Sequence, residues 1–207
     1  MNDGYRGILD SIASDSPTPG GGSVAALCLA HAHSLAAMVA RLTVVSEKVS
    51  DGHEIASEVI ERSDKAISDS LALADRDADA VDSVMAAYRM PKNKGFRESR
   101  KQAIREATIG AAIVPLETLV SASELLHRLL ELSRECNSNA LTDLASSAEL
   151  AHTAARMAEM NVRINTDYLD GEDVDEIEHS ANETMGRCDT TLEEVRTSCM
   201  SLSLIHI

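Results

Sequence analysis

The sequence predicts an all-α protein, a bundle of about six long antiparallel helices, and three observations carry that reading. No helix breaker occurs between Gly52 and Met90, while Ile60, Ile67, Leu71, Ala74, Ala78, Val81, Met85 and Tyr88 recur at spacings of three, four and seven. Glycine and proline, which punctuate a chain, gather in a few short places. No strand-like alternation, internal repeat, linker or low-complexity tract appears, so residues 1–207 read as one domain.

The elements follow in order. Residues 3–13 suit a short amphipathic helix, and Ser14 to Gly22, with Pro17, Pro19 and three glycines, is a loop. Residues 23–45 form an apolar, Ala-rich helix with Ser23 as its expected N-cap. After a turn at Ser50-Asp51-Gly52 comes the long helix of the heptad-like stripe, which Pro91 ends. The next helix should span 96–135, with Pro115 bending it or splitting it in two. Residues 136–139 make a turn, 141–169 a further helix, and Gly171 opens the last one, 173–203.

Composition narrows the function. The chain is 44% hydrophobic but 2% aromatic, so its core must be built from Ala, Leu, Val, Ile and Met. A net charge of −15 argues against nucleic acid or an anionic membrane as partner. The most apolar segment, Val24 to Val45, carries His31, His33, Ser34, Arg41 and Thr43, a load that suits a buried helix and not a membrane span. Cys28, Cys136, Cys188 and Cys199 form no C-x-x-C pair, and no signal peptide is visible; reduced thiols and a cytoplasmic location are expected.

Four groups of residues could carry chemistry. Pro17-Thr18-Pro19-Gly20-Gly21-Gly22-Ser23 runs into a helix start, where glycines allow close backbone approach and free N–H groups favour anions or carbonyls. The alternative is a flexible connector. Among the acids Asp75, Asp77, Asp79 and Asp82, helical geometry projects Asp77 between Val81 and Val84. Asp77 is therefore the acid expected to be partly buried and fitted for proton transfer, against the alternative of a surface residue on an acidic helix. Glu124-x-x-His127 and Glu149-x-x-His152 have the spacing of carboxylate-bridged di-iron bundles, but isolated core glutamates on two further helices are lacking, and no metal is expected. His31 and His33 lie two apart on a helix and cannot share a face. Finally, Lys92, Arg100, Asn137, Asp143, Asn161 and Asn165 are the polar punctuation of the later helices; Asn161 and Asn165 can present two amides to one ligand, or satisfy helix ends.

Taken in order, PTPGGGSVAAL at 17–27, AAMVARLT at 36–43, DADAVDSVMAAYRMPK at 77–92, REATIGAAIVPLE at 105–117, NSNALTD at 137–143 and NVRIN at 161–165 resemble the cyclodeaminase/cyclohydrolase family. That family includes methenyltetrahydrofolate cyclohydrolases and the cyclodeaminase half of formiminotransferase-cyclodeaminase. The resemblance implies an all-helical, generally dimeric protein that acts on folates and uses no metal, with no cofactor beyond the tetrahydrofolate derivative that is its substrate. It implies a proton-transferring Asp at Asp77. Gly20, Gly21, Gly22 and Ser23 match the glycine motif, Asn137 and Asp143 the Asn-x-x-x-x-x-Asp segment, and Asn161 and Asn165 the Asn-Val-x-x-Asn signature.

The sequence also departs from the family pattern. Val44 to Lys48 stands where a Gly/Lys-rich stretch is usual, Val81 where an aromatic is common, and His31 and His33 where small residues are common. The missing basic stretch weakens recognition of a folate glutamate tail there. The expected reaction is hydrolysis of methenyltetrahydrofolate to formyltetrahydrofolate. Cyclodeamination of formiminotetrahydrofolate is the alternative, and a non-catalytic helical binding protein is a third reading.

Overall fold

The computed structural model describes residues 4–205, with side chains to position 201. Helix α1 spans Tyr5–Ile12, and the expected start at residue 3 lies outside the described residues. Five long helices follow: α2 Gly21–Val44, α3 His53–Arg89, α4 Arg97–Ser133, α5 Leu141–Thr166 and α6 Glu172–Ile205. Short 3-10 turns precede α3, α4 and α5.

Helices α2, α3, α4 and α5 close a four-helix ring, each antiparallel to its neighbours, and α6 packs outside against α4 and α5. The core is Ala- and Leu-rich, as a chain nearly without aromatics requires. Ala25, Ala32 and Ala36 of α2 lie fully buried against Ala148, Ala151 and Ala155 of α5 and the leucines of α4, such as Leu119, Leu126 and Leu129. Small side chains bring the α2 and α5 backbones close, so polar groups can bridge them: Ser147 Oγ donates to the Ala32 carbonyl at 2.7 Å. By length and composition α2 and the Lys94–Ser133 segment could cross a membrane, but much of each is buried in the bundle.

Two details correct the sequence reading, and a third decides between its alternatives. The long helix α3 has the expected period but another phase. Its buried face is Ala56, Val59, Ser63, Ser70, Leu73, Ala74 and Asp77, while Leu71 and Tyr88 of the expected stripe are exposed. Ser63, Ser70 and Asp77 put polar side chains into the core face at heptad spacing, so the adjacent apolar positions gave the stronger hydrophobic signal.

Pro115 does not split α4, which runs unbroken through it. Proline has no N–H for the Ala111 carbonyl, and Asn165 Nδ2 supplies the missing donor from α5 at 2.9 Å. Ser23 is not the N-cap of α2. The helix starts earlier, with Gly20 at the cap position and no side-chain cap bond, and Ser23 lies inside the first turn.

The face between α2 and α3 also holds a buried polar pair. His33, 5% exposed, has Nδ1 3.3 Å from Ser63 Oγ, and its Nε2 has no partner among the described residues. Burial pushes the imidazole down to about 4, with Asp69 opposing the shift. Because the folded-state value is depressed, the unfolded chain takes up this proton first, and stability falls as pH drops from about 6.5 towards 4. Over that window the loss should approach about 3 kcal/mol. His33→Gln should flatten that part of the curve in chemical denaturation at stepped pH. An unchanged acid limb would show that His33 does not carry the effect.

Candidate active site

The site forms where the start of α2 meets the middle of α3. Val24 N–H closes the first helical bond onto the Gly20 carbonyl, leaving the N–H groups of Gly21, Gly22 and Ser23 without intrahelical partners. Asp77 of α3 is inserted against this turn. Its carboxylate accepts from Ser23 Oγ at 3.0 Å and lies beside the Ser23 backbone N–H, which also favours its ionised form. No local side chain caps α2; instead a carboxylate from a neighbouring helix faces its first turn.

Gly22 makes the approach possible. A Cβ there would lie 2.6 Å from Asp77 Cγ and 2.7 Å from Oδ2, inside van der Waals contact. Gly21, by contrast, has room: its Cβ would meet Asn161 Nδ2 at an ordinary 3.4 Å. The residue that must lack a side chain is Gly22.

Asp77 is 6% exposed, whereas Asp75, Asp79 and Asp82 on the same helix are exposed. Burial raises its carboxyl above the usual carboxylate range, and the Ser23 hydroxyl and N–H, which favour the ionised form, only partly offset this. The partial positive charge of the α2 N-terminus acts in the same direction as Ser23. Beside it, Arg76 forms a bidentate pair with Glu117 of α4 at 2.6 and 2.8 Å, fixing α3 against α4 at this level. Past this point α3 and α4 run on beyond the ends of α2 and α5 as a two-helix arm, so the site sits at the arm's root.

The structure distributes the other sequence-derived candidates differently. Asn161 comes to the site, its side chain against Gly21 and its Nδ2 donating to the Met157 carbonyl. Asn165, one turn on, is occupied with the Ala111 and Asn161 carbonyls. Lys92 is exposed in the α3–α4 turn. Arg100 donates to the Met90 and Tyr88 carbonyls, closing the end of α3.

Asn137 ties the α4–α5 turn to the end of α2: its N–H donates to Thr43 Oγ1 and its Nδ2 to the Leu42 carbonyl. Asp143, in the first turn of α5, lies about 27 Å along that helix from Asn161. Within one chain Asn137 and Asp143 therefore do not join the Asp77 group, nor do Lys92 and Arg100. The two E-x-x-H pairs do not converge either: Glu149 pairs with Arg196, His152 with Asp189, and His127 reaches towards Glu131. Sequence reasoning missed the Ala74 carbonyl, which accepts from Ser23 Oγ at 3.0 Å; a backbone group leaves no signal in side-chain patterns.

A large groove of about 1000 Å³ lies elsewhere, between α3, α4 and α6, lined by residues such as Arg62, Ser63, Ser123 and Arg187, and Asp77 is not among them. The buried Asp77 carboxylate and the α2 start lie apart from this groove, and we place the candidate site at that pair of elements.

The class of protein is an all-α bundle with a carboxylate buried on a glycine-rich helix start. Residues 5–183 match the family model described as formiminotransferase-cyclodeaminase, and the chain belongs to that family. It is 31% identical over 170 residues to methenyltetrahydrofolate cyclohydrolase of Methylorubrum extorquens, covering 82% of each chain. It is also 31% identical over 166 residues to formimidoyltransferase-cyclodeaminase of Mus musculus, of which it spans about a third (31%). The solved structure of formiminotetrahydrofolate cyclodeaminase from Thermotoga maritima superposes with a TM-score of 0.87 at 25% identity, covering 96% of both chains.

Proposed function

We propose that this chain hydrolyses methenyltetrahydrofolate to formyltetrahydrofolate, with Asp77 carrying the proton. The observation that supports the reading most is the buried Asp77 carboxylate, raised by burial and held on the open start of α2. The substrate's reacting carbon lies in a cationic N–C–N unit. Water adds to that carbon as Asp77 accepts one of its protons; the C–N bond then breaks as Asp77 gives that proton to the departing ring nitrogen, and the remaining hydroxyl proton is lost to solvent as the formyl C=O forms. In a site shielded from water, the carboxylate also attracts the cation more strongly than an exposed acid would. Gly20, Gly21 and the Asn161 amide line the approach and bind polar substrate atoms.

The relative matched over most of both chains is a cyclohydrolase, which favours hydrolysis. Cyclodeamination of formiminotetrahydrofolate is the second reading, supported by the structural neighbour. It would use the same carboxyl to release ammonia from a similar tetrahedral centre. No cofactor beyond the folate is required by either scheme.

We further propose a cytoplasmic homodimer. Tyr5, Ile8 and Leu9 of α1 and Met38, Leu42 and Val45 of α2 expose apolar side chains, a surface suited to a second copy. Incubating the protein with each folate and following the methenyl absorbance tests the reaction. Loss of methenyl signal faster than spontaneous hydrolysis is expected. Gain of signal from the formimino compound alone would replace hydrolysis with cyclodeamination, and no change with either would refute both.

A further inference from the structure

The Ser23 hydroxyl stands 3.0 Å from Asp77 Oδ2 and 3.0 Å from the Ala74 carbonyl oxygen. It owns a single proton, so it cannot donate fully to both. Two complete bonding arrangements exist, and neither needs a heavy atom to move. With Asp77 ionised, the Ser23 hydroxyl donates to the carboxylate. With Asp77 protonated, the carboxyl O–H donates to Ser23 Oγ and the Ser23 hydroxyl turns to the Ala74 carbonyl. We propose that Ser23 is a positioning residue whose hydroxyl rotates between Asp77 and Ala74 each time Asp77 gains or loses a proton. This rests on the reading of Asp77 as the proton carrier.

The rotation answers a difficulty that burial creates. Ser23 is 1% and Asp77 6% exposed, so water is poorly placed to re-satisfy either group when the charge changes. A fixed donor such as a backbone N–H can donate to the carboxyl in either state but cannot accept the O–H of the neutral acid. A hydroxyl backed by a second acceptor serves both, and keeps its own proton throughout. The proton that moves is the one exchanged between Asp77, water and the substrate nitrogen.

No charged side chain competes for this role from the helices packed around Asp77. On α2 the facing residues are Gly22 and Ser23. On α4 Glu117 is bound to Arg76, on α5 the nearest group at this turn is the neutral Asn161 beside Gly21, and on α3 itself Asp75 and Asp79 are exposed.

The test is a carbon-13 NMR titration of aspartate carboxyls in the unliganded protein, with the Asp77 signal assigned by its absence in Asp77→Asn. In Ser23→Ala the ionised form loses a charge-assisted bond, the stronger of the two, so the midpoint should move upward by about half to one pH unit. Ser23→Thr keeps the hydroxyl and should titrate near wild type. Ser23→Cys, which keeps the volume but donates weakly, should also shift upward and carries the test if Ser23→Ala does not fold. The acid limb of methenyl hydrolysis should move in the same direction. An unmoved midpoint in the Ala and Cys variants, or an equal shift in the Thr variant, overturns the proposal. The titration needs no turnover, so it separates the two claims. Full activity in Asp77→Asn would defeat the catalytic reading while a Ser23-dependent midpoint still stood.

Discussion

Replacing Asp77 with Asn should lower turnover by about 10²–10⁴-fold, the usual cost of removing a general acid–base group. The amide keeps the size and a hydrogen bond but exchanges no proton near neutral pH. Folding should not suffer. Because the folded-state value of Asp77 is raised, the native protein holds this proton more tightly than the unfolded chain. Stability is therefore lost as pH rises from the unfolded carboxylate range through the raised value. Asp77→Asn removes that loss, so the variant should melt no lower than wild type at neutral pH, and any advantage should vanish in acid. Asp79→Asn, on the exposed side of the same helix, should leave the rate unchanged. Equal rate losses in both variants would mean that the general acidity of α3 is being sensed. A fully active Asp77→Asn would remove the mechanism.

The second large effect belongs to Gly22. An added methyl would press on the Asp77 carboxyl itself, so Gly22→Ala must shift either the start of α2 or the carboxylate. Overpacking of this kind costs about 1–3 kcal/mol, and displacing a reacting group by about 1 Å can cost about 10²-fold in rate. Gly22→Ala should thus lower both melting temperature and turnover per folded molecule. Gly21→Ala meets only ordinary contact with Asn161 and should melt near wild type. If the two variants behave alike in calorimetry and in the methenyl assay, the close approach of Gly22 to Asp77 is not what organises the site.

These effects show what a sequence can and cannot reveal. The six helices were legible because Gly, Pro and short polar runs mark their ends, and a chain almost without aromatics can pack only through small and aliphatic faces. The phase of α3 was not, because Ser63, Ser70 and Asp77 occupy core positions where a hydrophobic pattern expects apolar residues. Asp77 could still be singled out, since the directions of Val81 and Val84 on the helix distinguish it from Asp75, Asp79 and Asp82. Partnership across helices left no such trace. Nothing local says that Asn165 serves the carbonyl freed by Pro115, that Asn137 fastens the end of α2, or that Ser23 faces Ala74. In each case a polar residue that looked available to a ligand is engaged by backbone from another element.

With the folate's reacting carbon placed beside Asp77 at the start of α2, amide NMR during titration with a stable formyltetrahydrofolate reports where the substrate binds. The largest shifts should fall at Gly20, Gly21, Gly22 and Ser23, with the Asn161 side-chain amide moving alongside them. Shifts concentrated instead at Ser63, Ser123, Gly186 and Arg187, in the groove between α3, α4 and α6, would put the substrate elsewhere and contradict this placement.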